Sequence, residues 1–188
     1  MGYLKTLLAI TVIIDHSPYG KAFVGGQFAV QLFYIISGFL IAHVLRTNPA
    51  YKNPFKFYLN RSLRIYPIYF AVSIATIIYI YAVDRSIFLF YFEIPAAAKL
   101  LLAVSNLTIF GQDWVMFSGI REGDLVFLVD FRKSIPQLWS GLLIPQAWTL
   151  GVELTFYAIA PFILRNTRLT ILLLLLSCSI RLLAACRT

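Results

Sequence analysis

Residues 28–45 run for eighteen positions without an Asp, Glu, Lys or Arg, and stretches of this kind recur along the chain. Crossing a hydrocarbon core about 30 Å thick takes about 20 predominantly apolar residues in helical form. Six apolar segments stand out, at residues 3–16, 28–45, 66–83, 96–110, 147–164 and 169–185. The second, third, fifth and sixth meet or approach the spanning length. The first and fourth are short, which suits a tilted, broken or re-entrant path. Backbone amides in hydrocarbon must find partners within their own segment, so helix is the required form. The expected fold is therefore an all-α, polytopic transmembrane helix bundle with about six spans, forming one membrane domain over residues 1–188.

Composition agrees with this reading. The 188 residues are 60% hydrophobic and 13% charged, with a mean hydropathy of +0.81. A soluble domain is nearer 45–50% apolar and about 25% charged, so a bilayer is the natural solvent and membrane lipid the natural surroundings. The formal charge is +8, from 16 Lys and Arg against 8 Asp and Glu. Nucleic-acid binding would gather such charge into one tract or face. Here the basic residues flank apolar segments, which is the pattern of topological anchoring, and nucleic acid is not an expected partner. The two cysteines, Cys178 and Cys186, lie in or just past the last apolar stretch and make neither a disulfide framework nor a metal set. Lys5 ahead of an apolar run resembles a signal peptide, but no small-residue cleavage site follows, so the run reads as an uncleaved first helix.

With a cytoplasmic N-terminus and six crossings, 11 basic residues fall inside and five outside, the five being Lys21, Arg85, Lys99, Arg165 and Arg168. The positive-inside rule then favours that orientation, mainly through the loop around residues 46–64. The polar stretch 111–146 holds Asp113, Glu122, Asp124 and Asp130 with several Gly and Pro, and reads as a long loop without a core of its own. The chain stops three residues after its sixth apolar segment, and the expectation is that it is the N-terminal portion of a longer, truncated protein.

Four constellations could carry chemistry. Lys5 and His16 are 11 residues apart, which on one helix gives about three turns plus about 20° and a separation of about 16 Å. An anchored Lys5 would put His16 near mid-depth, where an ionisable residue is a functional candidate. The alternative is that the helix ends at Asp15-His16, leaving both at a wet interface. Arg61 and Arg64, spaced i and i+3 within Phe57-Tyr-Leu-Asn-Arg61-Ser-Leu-Arg64-Ile-Tyr-Pro67-Ile-Tyr69, share a helix face. Their guanidinium forks could grip phosphates bidentately, or could be simple interfacial anchors. Glu153, in Trp148-Thr-Leu-Gly-Val-Glu153-Leu-Thr-Phe156-Tyr157, is the single acidic residue after Asp130 and sits inside an apolar helix. A carboxylate there is costly unless paired with a His or Arg, and it is either functional or glue between helices. Ser37 and Gly38, in Phe33-Tyr-Ile-Ile-Ser37-Gly38-Phe39-Leu40, permit close helix packing. Two isolated His residues without carboxylate company do not make a metal site.

Taken together and in this order, His16, Phe33–Leu40, Arg61–Tyr69 and Trp148–Tyr157 resemble the motifs of the acyltransferase-3 family of membrane-bound O-acyltransferases. That family carries an Arg about ten residues before a His, then Phe-x-Ile-Ser-Gly-Phe-Leu, Arg-x-x-Arg-Ile-x-Pro-x-Tyr and Trp-Ser-Leu-x-Val-Glu-x-x-Phe-Tyr. Position 5 departs from it, with Lys5 in place of the Arg, which keeps the charge and loses the fork. The resemblance implies acyl transfer, commonly of acetyl, from a cytoplasmic acyl-CoA such as acetyl-CoA to a hydroxyl of a carbohydrate. The acceptor it implies is a cell-surface polysaccharide or lipid-linked glycan, and the implied location is the inner membrane of a bacterium. It further implies His16 as general base, Arg61 and Arg64 with Lys5 at the CoA phosphates, and Glu153 orienting His16 or balancing a cation. No permanently bound cofactor or metal is implied. Two rivals remain open on the sequence: a transporter-like protein whose charged residues line a permeation route, and an inactive half-enzyme.

Overall fold

The computed structural model describes residues 2–15, 17, 25–83 and 85–185. Its helices are α1 (Gly2–Asp15), α2 (Gly26–Thr47), α3 (Pro54–Val83), α4 (Ser86–Glu93), α5 (Ala96–Thr108), α6 (Gln112–Val115), α7 (Trp148–Ile163) and α8 (Thr167–Ala185). Two short strands, β1 (Ser118–Arg121) and β2 (Asp124–Phe127), pair antiparallel between α6 and α7. Each of the six expected apolar segments is helical. The third helix starts about three turns ahead of the apolar run, because the Arg61–Tyr69 stretch is helical too. The helices α2 and α3 are long and apolar enough to cross a membrane, with mean hydropathies of 2.0 and 1.7. Compact packing divides the chain into two units, residues 1–57 with 158–188, and residues 58–157.

In the first unit α1 and α2 form an antiparallel hairpin. Lys5 meets Ser37 near one end of α1 and Asp15 approaches Gly26 at the other. The close approach needs a glycine, since a Cβ at position 26 would sit 2.5 Å from the Asp15 carboxylate. At the opposite end of α2, the Arg46 Nε donates to the Leu164 carbonyl at 2.9 Å. Arg165 donates in turn to the carbonyls of Tyr51 and Lys52. These bonds satisfy carbonyls that a terminating helix leaves without partners. Each following element is started by an asparagine. Asn48 accepts from Ala50 N, Asn53 from Phe55 N, and Asn166 from the backbone of Arg168 and Leu169, at 2.9–3.2 Å.

This arrangement differs from the alternating scheme at one point. Six successive crossings would put Arg165 and Arg168 on the face opposite Arg46 and Lys52, whereas the structure ties the loop after α7 to the loop after α2. The reason lies in helix length. The segment counted as the fourth crossing is α5, whose 13 residues reach about 20 Å at 1.5 Å per residue, short of a core about 30 Å thick.

The second unit also departs from expectation. The stretch 111–146 is no bare loop: Val115, Leu138 and Leu142 join Ile94, Ala98 and Leu102 in one buried cluster. The all-α expectation holds for the bulk of the chain, with the β1–β2 hairpin as its exception. The turn runs through Glu122 and Gly123 at φ +55° and +87°, the pair of positive angles a two-residue hairpin turn requires. Asn106 is the hub of the polar contacts. Its side-chain amide donates to the Tyr91 hydroxyl and the Gly141 carbonyl, both at 3.1 Å, and its oxygen accepts from Leu143 N at 2.9 Å. Tyr66 and Tyr69 on α3 donate to the carbonyls of Thr108 and Asn106 at 2.7 and 2.8 Å, closing the frayed end of α5.

Three side-chain bonds at about 1 kcal/mol net each, with partners left unmatched, set the worth of this hub. Asn106→Ala is expected to lower stability by about 3 kcal/mol, read as a depressed midpoint of thermal unfolding in detergent. Asn106→Asp, which keeps the acceptor to Leu143 and loses both donors, is expected to fall between.

Candidate active site

The candidate residues divide between the two units. In the first, the Lys5 ammonium donates to Ser37 Oγ at 2.8 Å and lies 4.6 Å from the centroid of the Phe33 ring. Both partners come from the Phe33–Leu40 motif of α2, and Ser37 is buried. The packing role expected of Ser37 is thus joined by a polar one. A lysine suits this place, because a single point donor and a cation over a ring use its compact ammonium. His16 lies outside the described residues.

In the second unit Arg61, Tyr157 and Glu153 come together. Glu153 is buried at 7% exposure, and Oε1 accepts from the Tyr157 hydroxyl at 2.5 Å. The two side chains are i and i+4 on α7 and so stack on one helix face. The Arg61 guanidinium from α3 lies 5.6 Å from the centroid of the Tyr157 ring, inside the range at which a cation is attracted to an aromatic face. Arg64, one turn on, is exposed. The shared helix face thus has a half-buried guanidinium turned to α7 and an outer one turned to solvent.

Gly151 sets the approach of α7. A Cβ there would stand 3.0 Å from the Ile109 carbonyl and 3.2 Å from Asp113 Oδ1, so any larger residue would press α7 away from the 109–113 segment. Beside it, Gln112 is fully buried and its amide donates to the Tyr69 hydroxyl at 2.9 Å and the Ser105 carbonyl at 3.2 Å. The close approach at Gly151 therefore sets α7 against the 109–113 segment, and Gln112 ties that segment to α3 and α5.

The arrangement is a buried carboxylate met by the Tyr157 hydroxyl, with a guanidinium over that residue's ring. Such a carboxylate is kept from the high cost of standing alone in an apolar setting. The outer Arg64 remains open to an anion from solvent, and a guanidinium fork fits phosphate geometry. Tyr157 is the residue of this group to which sequence reading gives no role. The signal for it was its i+4 spacing from Glu153, since a tyrosine one turn from a buried carboxylate is the nearest donor available. Ser37 was legible as a small residue, while its bond to Lys5 depends on the hairpin register and could not be read from spacing.

Comparison with known proteins bears on the chain as a whole. A protein of Bacillus subtilis (strain 168), YrhL, is 25% identical to the chain over 166 residues. Its name, peptidoglycan O-acetyltransferase, is itself provisional. The aligned region covers 86% of this chain and 23% of YrhL, so the chain spans about a quarter of that relative's length. No solved structure matches the chain. The acyltransferase-3 profile, described as an acyltransferase domain, matches residues 1–186 and takes in Lys5, His16, Arg61, Arg64 and Glu153 alike. The chain belongs to the acyltransferase-3 family.

Proposed function

We propose that the chain carries machinery of an acyl-CoA-dependent O-acyltransferase that moves an acetyl group onto a glycan hydroxyl. The family match over residues 1–186 carries this reading, and the grouping of Arg61, Tyr157 and Glu153 supports it. By analogy with the Bacillus relative, the acceptor is peptidoglycan or a chemically similar cell-surface or lipid-linked glycan. The protein sits in the bacterial inner membrane as a multi-pass chain with its N-terminus in the cytoplasm, where acetyl-CoA is available.

His16 acts as general base. As the acceptor oxygen attacks the thioester carbonyl, His16 takes the hydroxyl proton; the C–S bond breaks, and the CoA sulfur leaves as a thiolate that takes up a proton. Arg64 holds a CoA phosphate through its exposed fork. Arg61, half-buried against the Tyr157 ring, anchors the base of that grip. Glu153 and Tyr157 hold the α7 side of the site and balance the Arg61 charge. Lys5, fixed to Ser37, places a third cation, on the α1–α2 hairpin.

Acetyl-CoA turnover by the purified, detergent-solubilised protein tests the reading. General-base removal is typically worth 10²–10⁴-fold, so His16→Ala is expected to lower turnover by about that factor with acetyl-CoA binding retained. Arg64→Gln is expected to raise KM for acetyl-CoA about tenfold with kcat nearly unchanged, as loss of a ground-state phosphate contact does. A protein that neither binds nor consumes acetyl-CoA would remove the acyl-CoA reading.

The Glu153–Tyr157 pair makes a separate prediction. Tyr157→Phe keeps the ring beneath Arg61 but strips the carboxylate of its donor, at about 1–3 kcal/mol. The expected result is a lower unfolding midpoint, partly restored in the double variant Glu153→Gln with Tyr157→Phe.

A further inference from the structure

One end of the first unit is strongly basic. Arg46, Lys52, Lys56, Arg165 and Arg168 are all exposed there, on the last turn of α2, the 48–53 loop, the first turn of α3 and the turn into α8. Residues 1–57 and 158–188 contain one acidic residue, Asp15. It lies against Gly26 at the other end of α2, some 20 residues and so about 30 Å from Arg46. The five cations thus have no acidic neighbour in their unit.

Two of the five are occupied. Arg46 bonds the Leu164 carbonyl, and Arg165 bonds those of Tyr51 and Lys52, which fastens the two loops side by side. The side chains of Lys52, Lys56 and Arg168 have no hydrogen-bond or ion-pair partner among the described residues. The helices leading into this end are apolar on their outer faces. Phe28, Leu32, Ile35 and Phe39 on α2 and Leu172 and Leu174 on α8 are exposed. An apolar shaft ending in a cationic rim matches the change from acyl chains to headgroups at a membrane surface.

We propose that this rim is a docking surface for anionic phospholipid headgroups, with Lys52, Lys56 and Arg168 taking the phosphates and with both loops facing the same leaflet. Arg46 and Arg165 are positioning residues that hold the two loops in one plane. The helix α7 then enters from the opposite face and runs in the same direction as α2. This surface is independent of the acyl-transfer reading and involves none of the residues assigned to it.

Attraction of a basic residue to an anionic surface is worth about 1 kcal/mol, or about fivefold per charge. The test is native mass spectrometry of the purified chain titrated with phosphatidylglycerol or phosphatidylcholine. The wild type is expected to retain phosphatidylglycerol in preference, and less of it as salt rises. The triple variant Lys52→Gln, Lys56→Gln, Arg168→Gln is expected to lose about a hundredfold in phosphatidylglycerol affinity. The charge-preserving variant Lys52→Arg, Lys56→Arg, Arg168→Lys should keep it and guards against misfolding. Unchanged retention in the Gln variant overturns the proposal, as does equal loss in both variants. So does a Gln variant that loses CoA binding while its lipid retention stays intact.

Sidedness gives a second readout, in a background with Cys178→Ser and Cys186→Ser. Ala50→Cys and Thr167→Cys should react with an impermeant maleimide from the same side of the membrane. Labelling from opposite sides would sink the shared-leaflet geometry.

Discussion

A chain this apolar has little water to offer its backbone, and the need to pair every carbonyl and amide internally governs the fold. Helices meet most of that need. At their ends, where four groups per terminus lose their partners, long side chains reach across to finish the job. Arg46 and Arg165 close carbonyls at the ends of α7 and of the 49–52 turn, Tyr66 and Tyr69 close those at the end of α5, and Tyr91 and Asn106 close Gly141. The abundance of tyrosine among these donors has a physical basis: a ring that buries well and a hydroxyl that reaches a carbonyl combine two roles in one residue.

The same economy shapes the candidate active site. Arg61 and Glu153 are opposite charges on separate helices, and both meet Tyr157. One face of the ring takes the cation while its hydroxyl takes the carboxylate. Desolvation of each charge is thereby offset by a polarisable neighbour. Lys5 repeats the device on the α1–α2 hairpin, with a ring on one side and a serine hydroxyl on the other.

Much of this was legible in the sequence. Eighteen-residue apolar runs can hardly be other than helix, and the six segments match α1, α2, α3, α5, α7 and α8 closely. The family motifs singled out Arg61 and Glu153, which the fold brings to a common ring. What escaped was everything that depends on tertiary register. The 111–146 stretch looked like a loop because its core residues Val115, Leu138 and Leu142 fall in short apolar runs without a regular period, and they pack against Ala98 and Leu102 of α5, outside the stretch. The small helix α4 has 8 residues and too little length for periodicity to show. The tie between the loops after α2 and α7 escaped as well, because charge counting assigns each apolar run a full crossing and α5 has 13 residues.

The Glu153–Tyr157 pair has a further consequence. Both residues belong to one helix, one turn apart, so α7 itself holds them within reach of each other. Any tilt or slide of α7 carries donor and acceptor together as a single preassembled dipole. The pair is thus an electrostatic element that keeps its arrangement when the surrounding helices shift.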